Sequence, residues 1–422
     1  MRRFTRWGLA AVAFGVAGCA TVRKAPPPAD KADAAGAAYD DIAVLTEALL
    51  LVQRHYVEER PFQDVVYGAI NGMLNGLDPN SSFLPPKPLA VLEEETRGSF
   101  GGIGVSVGLD QGGVKVIAPI EDSPAFKAGL HSGDTITAVD GRKLDGASMD
   151  DAIKAMRGEK GSKVNVTVDR GNGETVEVAL VRDDIKVTSV KGVRDLGDGI
   201  GYLRITQFSE RAGEDFALAL AKLEKQKITD LIIDLRDNPG GLLDTAVTIA
   251  EQVLPRGKEI VTVRGRENRE PQQRYEAGPC EQRFAELPII VLVNGGSASA
   301  SEILAGALKA HKRAVLVGET TYGKASVQNV IKLALRPDCA VRLTTGYYYT
   351  PDGAMIHGKG IAPDVEVVVP KAEWRQAQLR RLMEEVPGAT TGSAANLIPA
   401  VKDVQLERAK ELLKAGRILN NG

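Results

Sequence analysis

The sequence predicts a multidomain chain in which a β-rich unit with helices precedes an α/β core, with helical regions at both ends. Three observations predict it. Between residues 184 and 370, buried-type runs such as Asp230-Leu-Ile-Ile-Asp-Leu235 and Ile289-Ile-Val-Leu-Val293 alternate with amphipathic stretches, the pattern of strands alternating with helices. Between 97 and 183, short strand-like runs are punctuated by glycines. The segments 39–96 and 371–422 repeat apolar residues at three- and four-residue intervals, the helical period. The 422 residues are 43% hydrophobic and carry a formal charge of −2, so the chain is globular and lacks the basic excess of a general nucleic-acid binder.

Residues 1–19 place Arg2, Arg3 and Arg6 before an apolar run, Trp7–Gly18, that is too short to span a bilayer and ends at Cys19. The segment resembles a bacterial lipoprotein signal peptide, which implies export, lipidation of Cys19 and a membrane-anchored periplasmic protein. Residues 20–38, rich in Ala, Pro and Asp, offer nothing to bury and read as a flexible linker. Two further cysteines, Cys280 and Cys339, either pair in that oxidising compartment or stay as buried thiols. The four histidines, at 55, 131, 311 and 357, have no metal-ligand spacing, so neither a metal site nor a cofactor is expected.

In 39–96, Ile42, Leu45, Leu49, Val52 and Tyr56 form one helical stripe, and Val65, Val66, Ala69, Ile70, Met73 and Leu74 a second. The turn cluster Leu77-Asp-Pro-Asn-Ser-Ser82 stops the second helix. So short a helical piece needs a partner subunit or the later core to pack on.

The unit 97–183 opens on Ser99-Phe-Gly-Gly-Ile-Gly-Val105 and continues through Ser123-Pro-Ala, Ala128-Gly-Leu130, Gly133-Asp134 and Val139-Asp-Gly141. This ordered pattern resembles a PDZ domain. Gly101, Gly102 and Gly104 allow backbone N–H groups to converge into an anion nest for a peptide's terminal carboxylate. The strand after the loop can then take the peptide as an added strand, with Ile103, Val105, Ile153 and Met156 lining a pocket for its last side chain. Arg157, at the end of the intervening helix, either solvates the helix terminus or, as the resemblance to PDZ-bearing proteases implies, relays peptide binding to the active site.

In the core 184–370, two strand-to-helix junctions carry the chemistry: Arg236-Asp-Asn-Pro-Gly-Gly241 and Asn294-Gly-Gly-Ser-Ala-Ser-Ala-Ser301. Lys324-Ala-Ser-Val-Gln328 follows the next strand-like run. A hydroxyl beside free backbone N–H groups, a lysine and an amide are the parts of a serine nucleophile, a base and an orienter without histidine. A lysine base must be neutral, so burial has to lower its pKa, and a neutral amide holds it without favouring the ammonium. Three serines, at 297, 299 and 301, compete for the nucleophile, and Ser299-Ala-Ser-Glu302 also fits a helix capping box.

Four pieces in order, Ile233–Leu243, Asn294–Leu308, Gly318–Gln328 and Gly358–Val367, behind the PDZ pattern resemble the carboxyl-terminal processing peptidases, the S41 type of tail-specific serine protease. The resemblance implies Ser299 as nucleophile, Lys324 as general base, Gln328 as orienter, and the N–H groups of Ala300 and Gly240 as the oxyanion hole, with Gly241 competing for the second place. It further implies unfolded or flexible C-terminal tails of exported proteins as substrates and leaves room for an adaptor. Relatives often carry glycine after the lysine, where this chain has Ala325, which would be strained if that position needs φ > 0. In 371–422, Leu406, Ala409, Leu412 and Leu413 form a helical face that needs a partner, so both ends point to a homo-oligomer. A PDZ scaffold with an inert core, an acyl hydrolase of small molecules and a protease latent until an adaptor docks are the competing readings.

Overall fold

The computed structural model describes residues 31–420 except 111–112, 121, 132, 172–174, 267–271, 279–283, 285 and 386–401. The leader with Cys19 and the cysteine at 280 lie outside the described residues; Cys339 is buried. The chain divides into two units, residues 1–72 and 73–422.

In the first unit α1 (Lys31–His55) begins eight residues ahead of the expected start at Tyr39, within the stretch read as linker. The Ala-rich run there has high intrinsic helix propensity, which outweighs its lack of anything to bury. Ile42, Leu45 and Val52 are exposed on it. Helix α2 (Phe62–Asn75) follows and ends before the Asp78 turn.

The second unit starts with β1 (Ser82–Leu84) and α3 (Pro86–Arg97). Glycine at 98, with φ +68°, ends α3 by taking the left-handed cap conformation. The β-rich part comprises β2 (Ser99–Gly102), β3 (Val105–Asp110), β4 (Gly113–Pro119), α4 (Pro124–Lys127), β5 (Thr135–Val139), β6 (Arg142–Lys143), α5 (Met149–Met156), β7 (Lys163–Asp169), β8 (Thr175–Val181) and β9 (Asp183–Lys186). Its sheet runs β3-β4-β5-β7-β8, with β6 on β5, so β3 is an edge strand; β2 and β9 pair separately.

The core comprises β10 (Val190–Asp195), β11 (Ile200–Ile205), α6 (Ala212–Lys225), β12 (Asp230–Asp234), α7 (Leu243–Glu251), β13 (Glu259–Gly265), β14 (Gln273–Glu276), β15 (Ile289–Val293), α8 (Ala300–Ala310), β16 (Ala314–Gly318), β17 (Ser326–Leu333), β18 (Arg336–Tyr349), β19 (Val365–Glu366), α9 (Lys371–Glu385) and α10 (Val404–Asn420). One sheet, β10-β11-β12-β15-β16-β19, is parallel from β11 onward. Its strands are buried on both faces, which is why they read as continuous apolar runs. Alternate residues serve opposite layers: Leu231, Ile233 and Val291 pack with α6, α7 and α8, whereas Tyr202, Ile232, Ile290 and Leu292 pack with Ala409 and Leu413 of α10. The apolar face of α10 is therefore covered by the chain's own sheet and needs no second subunit.

A second sheet, β1-β18-β13-β14 with β17 on β18, was not expected from the sequence. Its long strands are mostly half-exposed and polar, so they lack the apolar runs that mark the first sheet. It matters because β17 carries Gln328.

Candidate active site

Strand β15 ends in a turn that enters α8 at Ser299, the residue capping that helix. Ser299 has φ +55° and ψ −115°, a conformation that side-chain-bearing residues rarely hold without support. The support is Glu302, which is fully buried. Its Oε2 accepts the N–H of Ser299 at 2.9 Å and that of Lys324 at 2.8 Å, and its Oε1 accepts the Thr321 hydroxyl at 2.5 Å and the Gly323 N–H at 2.7 Å. One carboxylate thus ties the nucleophile turn to the lysine loop, and the four donors are what make its burial tolerable. The sequence marked Glu302 only as part of a capping box.

The other two serines are pinned elsewhere. Both are fully buried: Ser297 donates to the Leu235 carbonyl at 2.8 Å, and Ser301 donates to the Asn238 carbonyl at 3.0 Å. Of the three, Ser299 is the one on the wall of a cleft of about 920 Å³, which Lys324, Gln328, Gly240, Gly241 and Tyr348 also line. The Tyr348 hydroxyl lies 2.7 Å from the Lys324 carbonyl and 3.0 Å from the Ser299 carbonyl, a second bridge between the same two segments.

Lys324 is held below its ordinary lysine pKa, first by burial and then by the charge of Arg342 on β18. That is the direction a lysine base requires. Among the described residues no hydrogen bond joins Ser299 Oγ to Lys324 Nζ, or Lys324 Nζ to Gln328, so the side chains share the cleft without being closed on one another. Gln328 sits on β17, not on a helix or turn shared with Lys324, just past a bulge between Val327 and Gln328. Ala325 is absent from the left-handed residues; it is fully buried and bonds through its N–H to His357 Nδ1, so alanine fits there without strain. The glycine requirement falls on Gly323, whose φ is +87° and whose added Cβ would come 2.6 Å from the Gly360 nitrogen.

The Asp237–Gly241 turn abuts Ser299. A Cβ on Gly240 would lie 2.7 Å from the Ala298 carbonyl oxygen, 2.8 Å from Ser299 Cβ and 2.9 Å from the Ala300 nitrogen. The Gly240 N–H, expected to face an oxyanion, instead donates to Asn238 Oδ1 at 2.9 Å. Ala300 begins α8, where the first N–H groups have no partner within the helix. Behind the turn lies an ion network. Fully buried Arg236 meets Asp234 at 2.6 Å and Asp403 at 2.8 Å, and Arg381 reaches Asp234 at 3.3 Å and Asp237 at 3.5 Å. Burial opposes the charge on Asp234, but Arg236 and Arg381 overcome it and hold the carboxyl well below the carboxylate range.

In the β-rich part, Gly101 and Gly102 lie in β2, opposite Asp184 and Asp183 of β9. Gly104, φ +79°, makes the turn into β3, and its carbonyl accepts the Ile120 N–H and the Ser123 hydroxyl at 2.9 Å each. Ile103 and Met156 are buried in the core of this part; Val105 and Ile153 are half-buried. The α5 carbonyls at Ala155 and Met156 are capped by Arg182. Arg157 stacks over Phe100 at 4.5 Å and faces Glu94 of α3 at 3.5 Å, and α3 lines the cleft. Among the described residues no group of His, Cys, Asp or Glu is arranged to hold a metal ion.

Family models match at both places: peptidase family S41 over residues 199–367 and a PDZ domain over 101–187. The carboxy-terminal-processing protease of Bartonella bacilliformis is 40% identical over 392 residues, covering 89% of each chain. The carboxy-terminal processing protease CtpA of Bacillus subtilis is 34% identical, covering 77% of this chain and 69% of its own. A solved structure, the photosystem II D1 C-terminal processing protease, is 32% identical over 76% of this chain and 92% of its own, with a TM-score of 0.44. The chain accordingly belongs to the carboxy-terminal-processing proteases of peptidase family S41 and is a serine-type peptidase with a PDZ domain.

Proposed function

We propose that the protein is a lipid-anchored periplasmic endopeptidase that takes unfolded C-terminal tails of exported proteins through its PDZ domain and cleaves them with Ser299, Lys324 and Gln328. The observation that carries this is the common cleft, which joins a serine at a supported positive-φ turn to a lysine whose ammonium form is disfavoured.

Neutral Lys324 takes the Ser299 proton as Oγ attacks the scissile carbonyl carbon. The resulting oxyanion is received by the Ala300 N–H and a second N–H of the glycine turn. Using Gly240 requires its bond to Asn238 to open; Gly241, also on the cleft wall, is the alternative. The lysine ammonium then protonates the leaving amine; a water attacks the acyl-serine, giving its proton to Lys324, which returns it to Ser299 Oγ as the ester bond breaks. Peptide capture is supported by the edge position of β3 and the turn at Gly104, and Arg157 connects that groove to α3. The absent Ser299–Lys324 hydrogen bond favours a second reading of the same enzyme, in which the pair closes only once a tail or an adaptor is bound.

Cleavage of an unfolded polypeptide ending in a free apolar residue, against the Ser299→Ala form, tests this directly. Loss of cleavage in the variant and weaker cleavage of the amidated tail are expected. Equal cleavage by both forms would remove Ser299 as the nucleophile. Lipidation is read from the mass of the mature N-terminal peptide, which Cys19→Ala should change to an unacylated form.

A further inference from the structure

Gln328 can present either an acceptor or two donors to Lys324, and only its amide orientation decides which. Strands β17 and β18 place Gln328 opposite Thr344, and Gln328 Nε2 lies 3.3 Å from Thr344 Oγ1. Thr344 Oγ1 in turn lies 3.2 Å from Asp78 Oδ1, in the turn after α2. The same carboxylate is fixed by the N–H groups of Asn80 at 2.7 Å and Ser81 at 2.9 Å, and by the Ser81 hydroxyl at 2.8 Å. Ser81, almost fully buried, accepts the Thr344 N–H at 3.1 Å, so Thr344 is held from both its backbone and its side chain. Burial pushes the Asp78 carboxyl up, but these hydrogen bonds outweigh it and hold the group below its ordinary value, hence ionised.

An ionised carboxylate only accepts. Thr344 has one hydroxyl proton, and Asp78 takes it. Toward Gln328, Thr344 Oγ1 can therefore only accept, and the group facing it must be the NH2, which leaves Oε1 for the lysine.

We propose that Asp78 and Thr344 are positioning residues of the catalytic amide: they fix Gln328 with its carbonyl turned toward Lys324, so that the neutral amine is held as a donor to the amide with its lone pair left for the serine. This rests on the reading of Gln328 as orienter. It gives a chemical task to a turn that the sequence presents merely as a helix stop, 266 residues from Thr344.

The test is kinetic, on the full chain. Thr344→Val keeps the branched shape that suits a strand but cannot accept, and should lower kcat by about ten- to a hundredfold with KM within about twofold. Thr344→Ser should restore kcat to within about threefold. In a Gln328→Ala background, Thr344→Val should lower kcat by less than about a further twofold, because its effect runs through Gln328. Wild-type kcat in Thr344→Val, a loss carried by KM, equal impairment of the Ser and Val forms, or full additivity would each overturn the proposal. If Gln328→Ala alone keeps wild-type kcat, the orienter reading itself falls; if Gln328→Ala is below detection, the Ser/Val pair and the KM split decide.

Discussion

At the scale of single residues, the feature of the cleft with the most consequence is a lysine made a poor cation. Burial and Arg342 both disfavour its ammonium. Replacing Arg342 by Met removes the repulsion, so the Lys324 pKa rises and the acid limb of the kcat-against-pH profile moves to higher pH; an unmoved limb would show that Arg342 does not act on the base. The linkage sign follows: the folded pKa lies below the unfolded one, so the unfolded chain binds the proton more readily and stability from this group rises with pH up to the unfolded value. Lys324→Met should therefore be inactive yet melt a few degrees higher than the wild type at neutral pH, a gain that shrinks as pH rises toward the ordinary lysine value. Ser299, Lys324 and the glycine turn were legible because each sits in a dense local motif. Asp78, Thr344 and Arg342 were not, because their meaning is created by strand register between segments far apart in the sequence.

Between elements, Glu302 is the joint that matters most. It holds α8 against the loop before β17, and Glu302→Ala would leave the N–H groups of Ser299, Gly323 and Lys324 without their acceptor. Each buried donor so orphaned costs about 1–3 kcal/mol, so a loss of at least about 3 kcal/mol is expected in chemical denaturation, together with loss of cleavage. A stability change under about 1 kcal/mol would mean that water replaces the carboxylate. The parallel strands were readable because burial on both faces forces continuous apolar runs. Strands β17 and β18 were not, since a half-exposed ribbon has no such constraint and its residues read equally well as loop.

Across the whole molecule, the C-terminal region is part of the α/β core. Helix α10 covers one face of the parallel sheet, and Asp403 just before it meets Arg236 immediately next to the glycine turn. Among the described residues no helix is long and apolar enough to cross a membrane. Asp403→Ala removes one of the two carboxylates on Arg236, which keeps Asp234, and should destabilise the fold by about 1.5–3 kcal/mol and lower kcat more than it raises KM, because the disturbed turn is the one that abuts Ser299. Unchanged unfolding by denaturant would show that Asp234 alone suffices for Arg236.

The Arg236–Asp403 pair also sets an order in time. Synthesis delivers Arg236 long before Asp403, so in a growing chain the guanidinium has one carboxylate where the folded protein gives it two. A chain interrupted anywhere before residue 403 leaves that cation half-compensated beside the glycine turn and the sheet face bare. A chain cut short before Asp403 should thus yield an inert product and not an unregulated protease, so the segment around Asp403 and α10 checks the assembly of the site from a distance in sequence.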